Sequence, residues 1–97
     1  MIHVEVSFSV AATDEAAAVN ALVEAAPKMR ALKGNLGARV LTDPQSAGAI
    51  ILLHSWDTMA DLDAYRGGPL MAEIGSVLRP IMVAAPVTTV YEMDVVD

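Results

Sequence analysis

The sequence predicts an α+β fold, a β-α-β-β-α-β chain that forms one antiparallel sheet with its helices on one face. Three observations predict it. Apolar residues alternate at period two near both ends of the chain, recur at spacings of three and four in two intervening stretches, and run without interruption in a central segment. Clusters of turn residues separate these stretches.

Ile2, Val4, Val6, Phe8 and Val10 alternate with His3, Glu5, Ser7 and Ser9, so a first strand is expected over 2–10. Thr13 is expected to cap the first helix, and Asp14 and Glu15 suit the positive helix N-terminus. Val19, Leu22, Val23, Ala26 and Met29 then share one helical face. Pro27 lies inside that run, removes a donor and crowds the Val23 carbonyl, which predicts a kink or a break. Lys33-Gly34 supplies a stop.

A second strand is expected over 36–41. The turn cluster Asp43-Pro44-Gln45-Ser46-Ala47-Gly48 leads into Ala49 to Trp56, apolar on both faces and so expected to be a central strand. Asp57 or Thr58 can cap a second helix carrying Met59, Leu62 and Tyr65, which Gly67-Gly68 ends. Pro69 suits the first position of a further helix with a buried stripe of Leu70, Ile74, Val77 and Leu78. The last strand is expected over 87–95.

Right-handed crossovers give a split β-α-β sheet with strands 1 and 3 central and antiparallel. Its opposite face has no cover within the chain. In strand 3 that face is apolar whichever parity is chosen, and exposing it costs about 25 cal/mol per Å². Pairing two such sheets removes the cost, so a homodimer is expected.

The length of 97 residues suits one domain, 1–97, and is too short for two independent cores. A hydrophobic fraction of 55% and a mean hydropathy of +0.47 are high for so small a domain, which again points to a covered surface. Charged residues or Pro interrupt every apolar run before about 18 residues, so no membrane span is expected. Glu5 breaks what a signal peptide would need as its apolar stretch. The net charge of -6 and pI near 4.6 argue against nucleic acid and anionic membranes, and leave an apolar or aromatic small molecule as the natural ligand. The chain has no Cys, which removes disulfides, thiolate zinc sites and Cys nucleophiles and fits the cytoplasm. No Gly-x-Gly-x-x-Gly or P-loop is present, so no nucleotide cofactor is expected.

The stretch His54-Ser55-Trp56-Asp57-Thr58-Met59-Ala60-Asp61-Leu62-Asp63-Ala64-Tyr65 resembles the strand-to-helix signature of the antibiotic biosynthesis monooxygenase-like family. Gly67-Gly68-Pro69-Leu70-Met71 resembles the link that follows, and Lys33-Gly34-Asn35-Leu36-Gly37 the family's entry to strand 2. The resemblance implies a ferredoxin-like, dimeric α+β barrel with a pocket inside each subunit, between sheet and helices. It implies an enzyme of the kind found there: cofactor-independent oxygenases of quinols and polycyclic phenols, haem-degrading enzymes, and isomerases. Trp56 and Tyr65 fall on its motif. The chain departs from it in three places. Leu52 stands where phenol oxygenases place an amide, Tyr65 stands where many members have His, and 69–80 contains no His to ligate haem iron. Haem degradation is therefore set aside, and no cofactor is expected.

Three residues are the candidates for catalysis. Trp56 offers an indole N–H to a substrate oxygen and a face to an aromatic ring, or simply fills a corner of the core. His54 shares a strand face with Trp56 and, with an ordinary pKa near 6.5, is read as the proton acceptor for a phenol or quinol. His3 is expected to lie near it, though two His alone do not make a metal site. Tyr65 offers a hydroxyl beside a Gly-Gly-Pro link that can hinge a lid. Arg66 and Arg79 are read as solvated helix-end cations, with Arg79 able to neutralise a phenolate or carboxylate. The competing reading is a dimeric domain that binds an apolar ligand, or only assembles, without catalysis.

Overall fold

A computed structural model describes all 97 residues. The strands are β1 (Ile2–Ser9), β2 (Asn35–Thr42), β3 (Ala49–Trp56) and β4 (Val87–Glu92). The helices are α1 (Glu15–Arg30), α2 (Met59–Arg66) and α3 (Pro69–Leu78). They build one sheet in the order β2-β3-β1-β4, antiparallel throughout, which is the expected ferredoxin-like arrangement. Strands 1 and 3 are central because both are apolar on the face that meets the helices. Ile2, Val4 and Phe8 of β1 and Ile50, Leu52, His54 and Trp56 of β3 are buried there, against Ala18, Leu22 and Met29 of α1, Leu62 of α2 and Leu78 of α3. Each fully buried large side chain contributes roughly 1.5–3 kcal/mol relative to exposure.

Thr58 caps α2: its hydroxyl accepts from the Asp61 backbone N–H at 3.2 Å. Pro69 opens α3, where a missing N–H costs nothing. Glycine is needed at two turns. Gly34 (φ +78) and Gly48 (φ +86) take left-handed conformations, and a Cβ would run into the Asp61 carboxylate at the first and the Val10 carbonyl at the second.

Several expectations change in detail. The first helix starts at Glu15, after a 3-10 turn at Ala12–Asp14, and no side chain caps it, so Thr13 is not its cap. The Glu15 carboxylate instead accepts from the Gly48 N–H at 3.0 Å. Pro27 neither breaks nor splits α1. It sits at an exposed position in the last turn, one turn after the exposed Val23. Val23 is accordingly 53% exposed rather than core, and so is Val77, at 51%. The last strand ends at Glu92.

The helix-free face carries Ile51, Leu53 and Ser55 of β3, with His3 and Glu5 of β1 and Thr89 and Tyr91 of β4 aligned beside them. Ile51 and Leu53 are only partly covered, and Val87 and Tyr91 are exposed. The expected apolar strip on the uncovered side is present, bordered by polar groups. No helix is long and apolar enough to cross a membrane.

Candidate active site

His54 and Trp56 are two residues apart on β3 and so project from the same sheet face. Tyr65 reaches them from the last turn of α2. The three rings form one cluster. Trp56 and Tyr65 stack at 5.3 Å and 24°, and His54 meets Tyr65 edge-on at 5.4 Å and Trp56 at 5.9 Å. Such packing is worth about 0.5–1.5 kcal/mol per pair beyond area burial.

One bond sets the chemistry of this cluster. The Trp56 indole N–H donates to His54 Nδ1 at 2.7 Å, a short bond with both side chains buried. An indole nitrogen only donates, so Nδ1 must be the bare nitrogen, and a neutral His54 carries its proton on Nε2. Burial, the Arg66 charge and His3 together push the imidazole down to about 4. At neutral pH His54 therefore presents an N–H donor. It gains a second proton only by giving up the bond from Trp56, which opposes the role of proton acceptor that the sequence suggested. Trp56 is likewise not free to donate to a substrate; its N–H is committed to His54, and its place is behind that ring. Burial raises the Tyr65 hydroxyl, which stays protonated and is a second donor.

His54 and Tyr65 line a cavity of about 140 Å³ between sheet and helices. Its walls are apolar: Val4 and Phe8 of β1, Leu52 of β3, Leu22 of α1, and Ile74 and Leu78 of α3. Leu52 thus adds hydrocarbon rather than an amide. Arg66 and Arg79, both exposed, complete the rim with Met71 and Met82. Trp56 is not on this wall. It borders, with Tyr65, a second hollow of about 370 Å³ on the other side of the stack, beside Lys33, Asp61 and Leu70. Of the three candidates, two share the first cavity, and the third holds one of them in place.

Arg66 and Arg79 were read from the sequence as helix-end surface charges, yet both border the cavity. Gly75 accounts for Arg79. It lies one turn earlier on α3, and a Cβ there would stand 3.3 Å from Arg79 Nε, so the guanidinium folds back over a helix surface left bare. That four-residue spacing was visible; the direction of the side chain was not. Thr88 of β4 also lines the cavity and was missed, although its alternation with Thr89 and Tyr91 puts it on the helix side. The Gly67-Gly68 link is tight rather than open: a Cβ on Gly68 would come within 2.9 Å of the Ala64 carbonyl. His3 lies on the other face of the sheet. It pairs across β1 and β3 with Ser55, whose Oγ is 2.9 Å from its Nδ1, while His54 stands opposite Val4. The two His residues do not share a site.

The chain is thus a ferredoxin-like α+β domain with a mostly apolar pocket between its sheet and its helices. The antibiotic biosynthesis monooxygenase family model matches residues 1–75, and the chain belongs to that family. Solved structures agree on the fold. A Deinococcus radiodurans structure bearing the same family name is 20% identical, with a TM-score of 0.91 over 100% of this chain and 96% of that one. A Mycobacterium tuberculosis protein is 18% identical, with a TM-score of 0.87 over 99% and 98%. A conserved Methanosarcina mazei protein is 15% identical, with a TM-score of 0.88 over 96% and 92%. No curated protein matches the chain.

Proposed function

We propose that this protein is a cytoplasmic, homodimeric enzyme that oxidises a phenol or quinol with O2 and no cofactor. The observation that carries the reading is that His54, its Nδ1 occupied by Trp56, and Tyr65 line the same mostly apolar cavity, which two arginines border. Donors fixed in a dry site stabilise charge that develops on oxygen far better than water does. The substrate enters as, or becomes, a phenolate, which can pass an electron to O2. In the net change for a phenol, a ring C–H bond breaks, a C=O bond forms at that carbon, and the O–O bond breaks. The second oxygen leaves as hydroxide and takes up the phenol proton, so phenol and O2 become quinone and water. All four electrons come from the substrate. His54 and Tyr65 hold the oxygen that carries negative charge, and Trp56 is the positioning residue that keeps the proton of His54 on Nε2. A second copy of the chain covers the helix-free face around Ile51 and Leu53.

Oxygen uptake with a panel of quinols and anthrone-like phenols tests this. Turnover is expected to stop without O2 and to ignore chelators, and His54→Ala is expected to lower kcat about a hundredfold, as loss of one oxyanion donor does. Turnover that needs a metal, or that proceeds without O2, overturns the reading. Leu52 in place of an amide favours the alternative, a binding protein of the same fold; saturable binding with no oxygen uptake by any member of the panel decides for it.

A further inference from the structure

The rim of the cavity departs from the charge of the rest of the molecule. The chain holds twelve Asp and Glu against six Lys and Arg. Yet Arg66 and Arg79 border the cavity and no carboxylate does. Arg79 makes no ion pair, and Arg66 has only Asp63 at 3.9 Å, a long contact to an exposed carboxylate. Both guanidiniums are therefore largely unneutralised beside an apolar hollow. The field of Arg66 reaches the interior, where it helps keep His54 neutral. Every polar side chain in this wall can donate to an anion: two guanidiniums, the His54 imidazole and the hydroxyls of Tyr65 and Thr88.

The size of the hollow adds a second constraint. At about 140 Å³ it falls well below the roughly 300–1,000 Å³ of pockets for drug-sized ligands. It is close to the apolar cavity of about 150 Å³ that holds one benzene ring. Its inner wall is packed core, Leu22, Leu52 and Leu78 among it, which does not retreat without loss of burial, while Arg66, Met71, Arg79 and Thr88 form an exposed mouth.

We propose that this site selects a single aromatic ring bearing an anionic oxygen, with the ring among the core side chains and the charge shared between the donors His54 and Tyr65 and the guanidiniums of Arg66 and Arg79. The inference rests on the reading of this cavity as the substrate site and narrows it, since it excludes neutral and polycyclic ligands. The anionic oxygen is a phenolate or a carboxylate, and the two sources are told apart below.

Para-nitrophenol is a suitable probe. It has one ring, its charge is switched by pH without change of shape, and its phenolate absorbs visibly. Its methyl ether, para-nitroanisole, is the neutral match; para-nitrobenzoate is the carboxylate; nitronaphthol adds one ring. Calorimetric titration of the wild-type protein is expected to give para-nitrophenolate an affinity at least tenfold above the ether, in keeping with hydrogen bonds to a charged group. Bound para-nitrophenol is then expected to ionise about one pH unit lower than the free compound, because a tenfold preference for the anion is one unit. Nitronaphthol is expected to bind at least tenfold more weakly. Arg66→Gln with Arg79→Gln, both at exposed positions, should cut the preference for charge severalfold while sparing the fold, leaving what His54 and Tyr65 supply. Gly75→Ala keeps Arg79 itself, but its Cβ presses on the guanidinium at 3.3 Å from Nε and should give a small part of that loss. Tighter binding of para-nitrobenzoate than para-nitrophenolate assigns the anion as carboxylate, and the reverse as phenolate. Equal binding of the ether, an ionisation moved upward, nitronaphthol bound as well as the single ring, or no binding of any probe at millimolar concentration overturns the proposal. Failure of oxygen uptake with this binding pattern intact removes the oxygenase and leaves the ligand class standing.

Discussion

His3 and His54 lie on neighbouring strands and face opposite ways, and their surroundings differ in kind. His3, on the helix-free face, sits half-buried among polar groups: Ser55 Oγ at 2.9 Å, Glu5 at 3.9 Å and the Tyr91 ring at 6.2 Å. His54, on the helix side, is 3% exposed and takes one hydrogen bond, from Trp56. The same residue type is thus set in a wet, many-partnered place and in a dry, single-partnered one. Only the second has its tautomer fixed by a neighbour while the residue lines a cavity. An imidazole's role follows from what the other nitrogen is bound to, more than from its being a His.

The largest effect should come from removing that partner. Trp56 is fully buried, and Trp56→Ala is expected to cost about 3–5 kcal/mol in urea unfolding, since it leaves a large void and strips Nδ1 of its donor. A cost below about 1 kcal/mol would show that the ring cluster is not the anchor of this face.

The next effect is a pH dependence confined to the helix side. In the folded chain His54 is pushed down to about 4, whereas in the unfolded chain it titrates near 6.5. The unfolded state binds the proton first, so stability is full above pH 6.5, falls as the pH drops towards 4, and levels off below that. The loss attributable to His54 is on the order of 3 kcal/mol. Thermal melts across this range should show the slope, and His54→Gln should flatten it. A slope that persists in His54→Gln and disappears in His3→Gln would move the titration to the helix-free face and undo the comparison.

The smallest effect on the subunit is expected at Leu53, in the middle of the helix-free strip. Leu53→Asp should alter the unfolding free energy of the monomer by about 1 kcal/mol or less, the span of strand propensities at a half-covered site. Its effect on assembly should be large, because Leu53 stands opposite Glu5 in the β1–β3 register and a second carboxylate would have to be covered beside the first. Sedimentation at micromolar concentration is the measurement. A wild-type chain that sediments as a stable monomer removes the dimer from the functional reading.

How much of this was legible in the sequence differs between the two faces. Alternation at period two and recurrence at three and four residues specify which side of each element is apolar, and those patterns located the sheet, its central strands and Thr58 as a cap. They overreached where an apolar residue lies at the margin of a helical stripe, as Val23 and Val77 do. The break expected at Pro27 does not occur: the proline lies in the last turn of α1, where few helical hydrogen bonds remain to be lost. In the site, the two-residue spacing of His54 and Trp56 put both rings on one strand face. It could not say which nitrogen carries the ring proton, and the choice between proton acceptance and donation turns on that. The Arg66 and Arg79 rim was hidden for the same reason: spacing places a Cα, whereas the path of a long side chain depends on the surface that its neighbours leave open.

The bond from Trp56 to His54 has a spectroscopic consequence. Trp56 is the only tryptophan of the chain, so all of its indole emission originates against this one imidazole. Protonation of the ring, or occupation of its far edge, alters the field at the fluorophore without any label. The polypeptide therefore carries its own optical gauge of whether the cavity is charged, empty or filled.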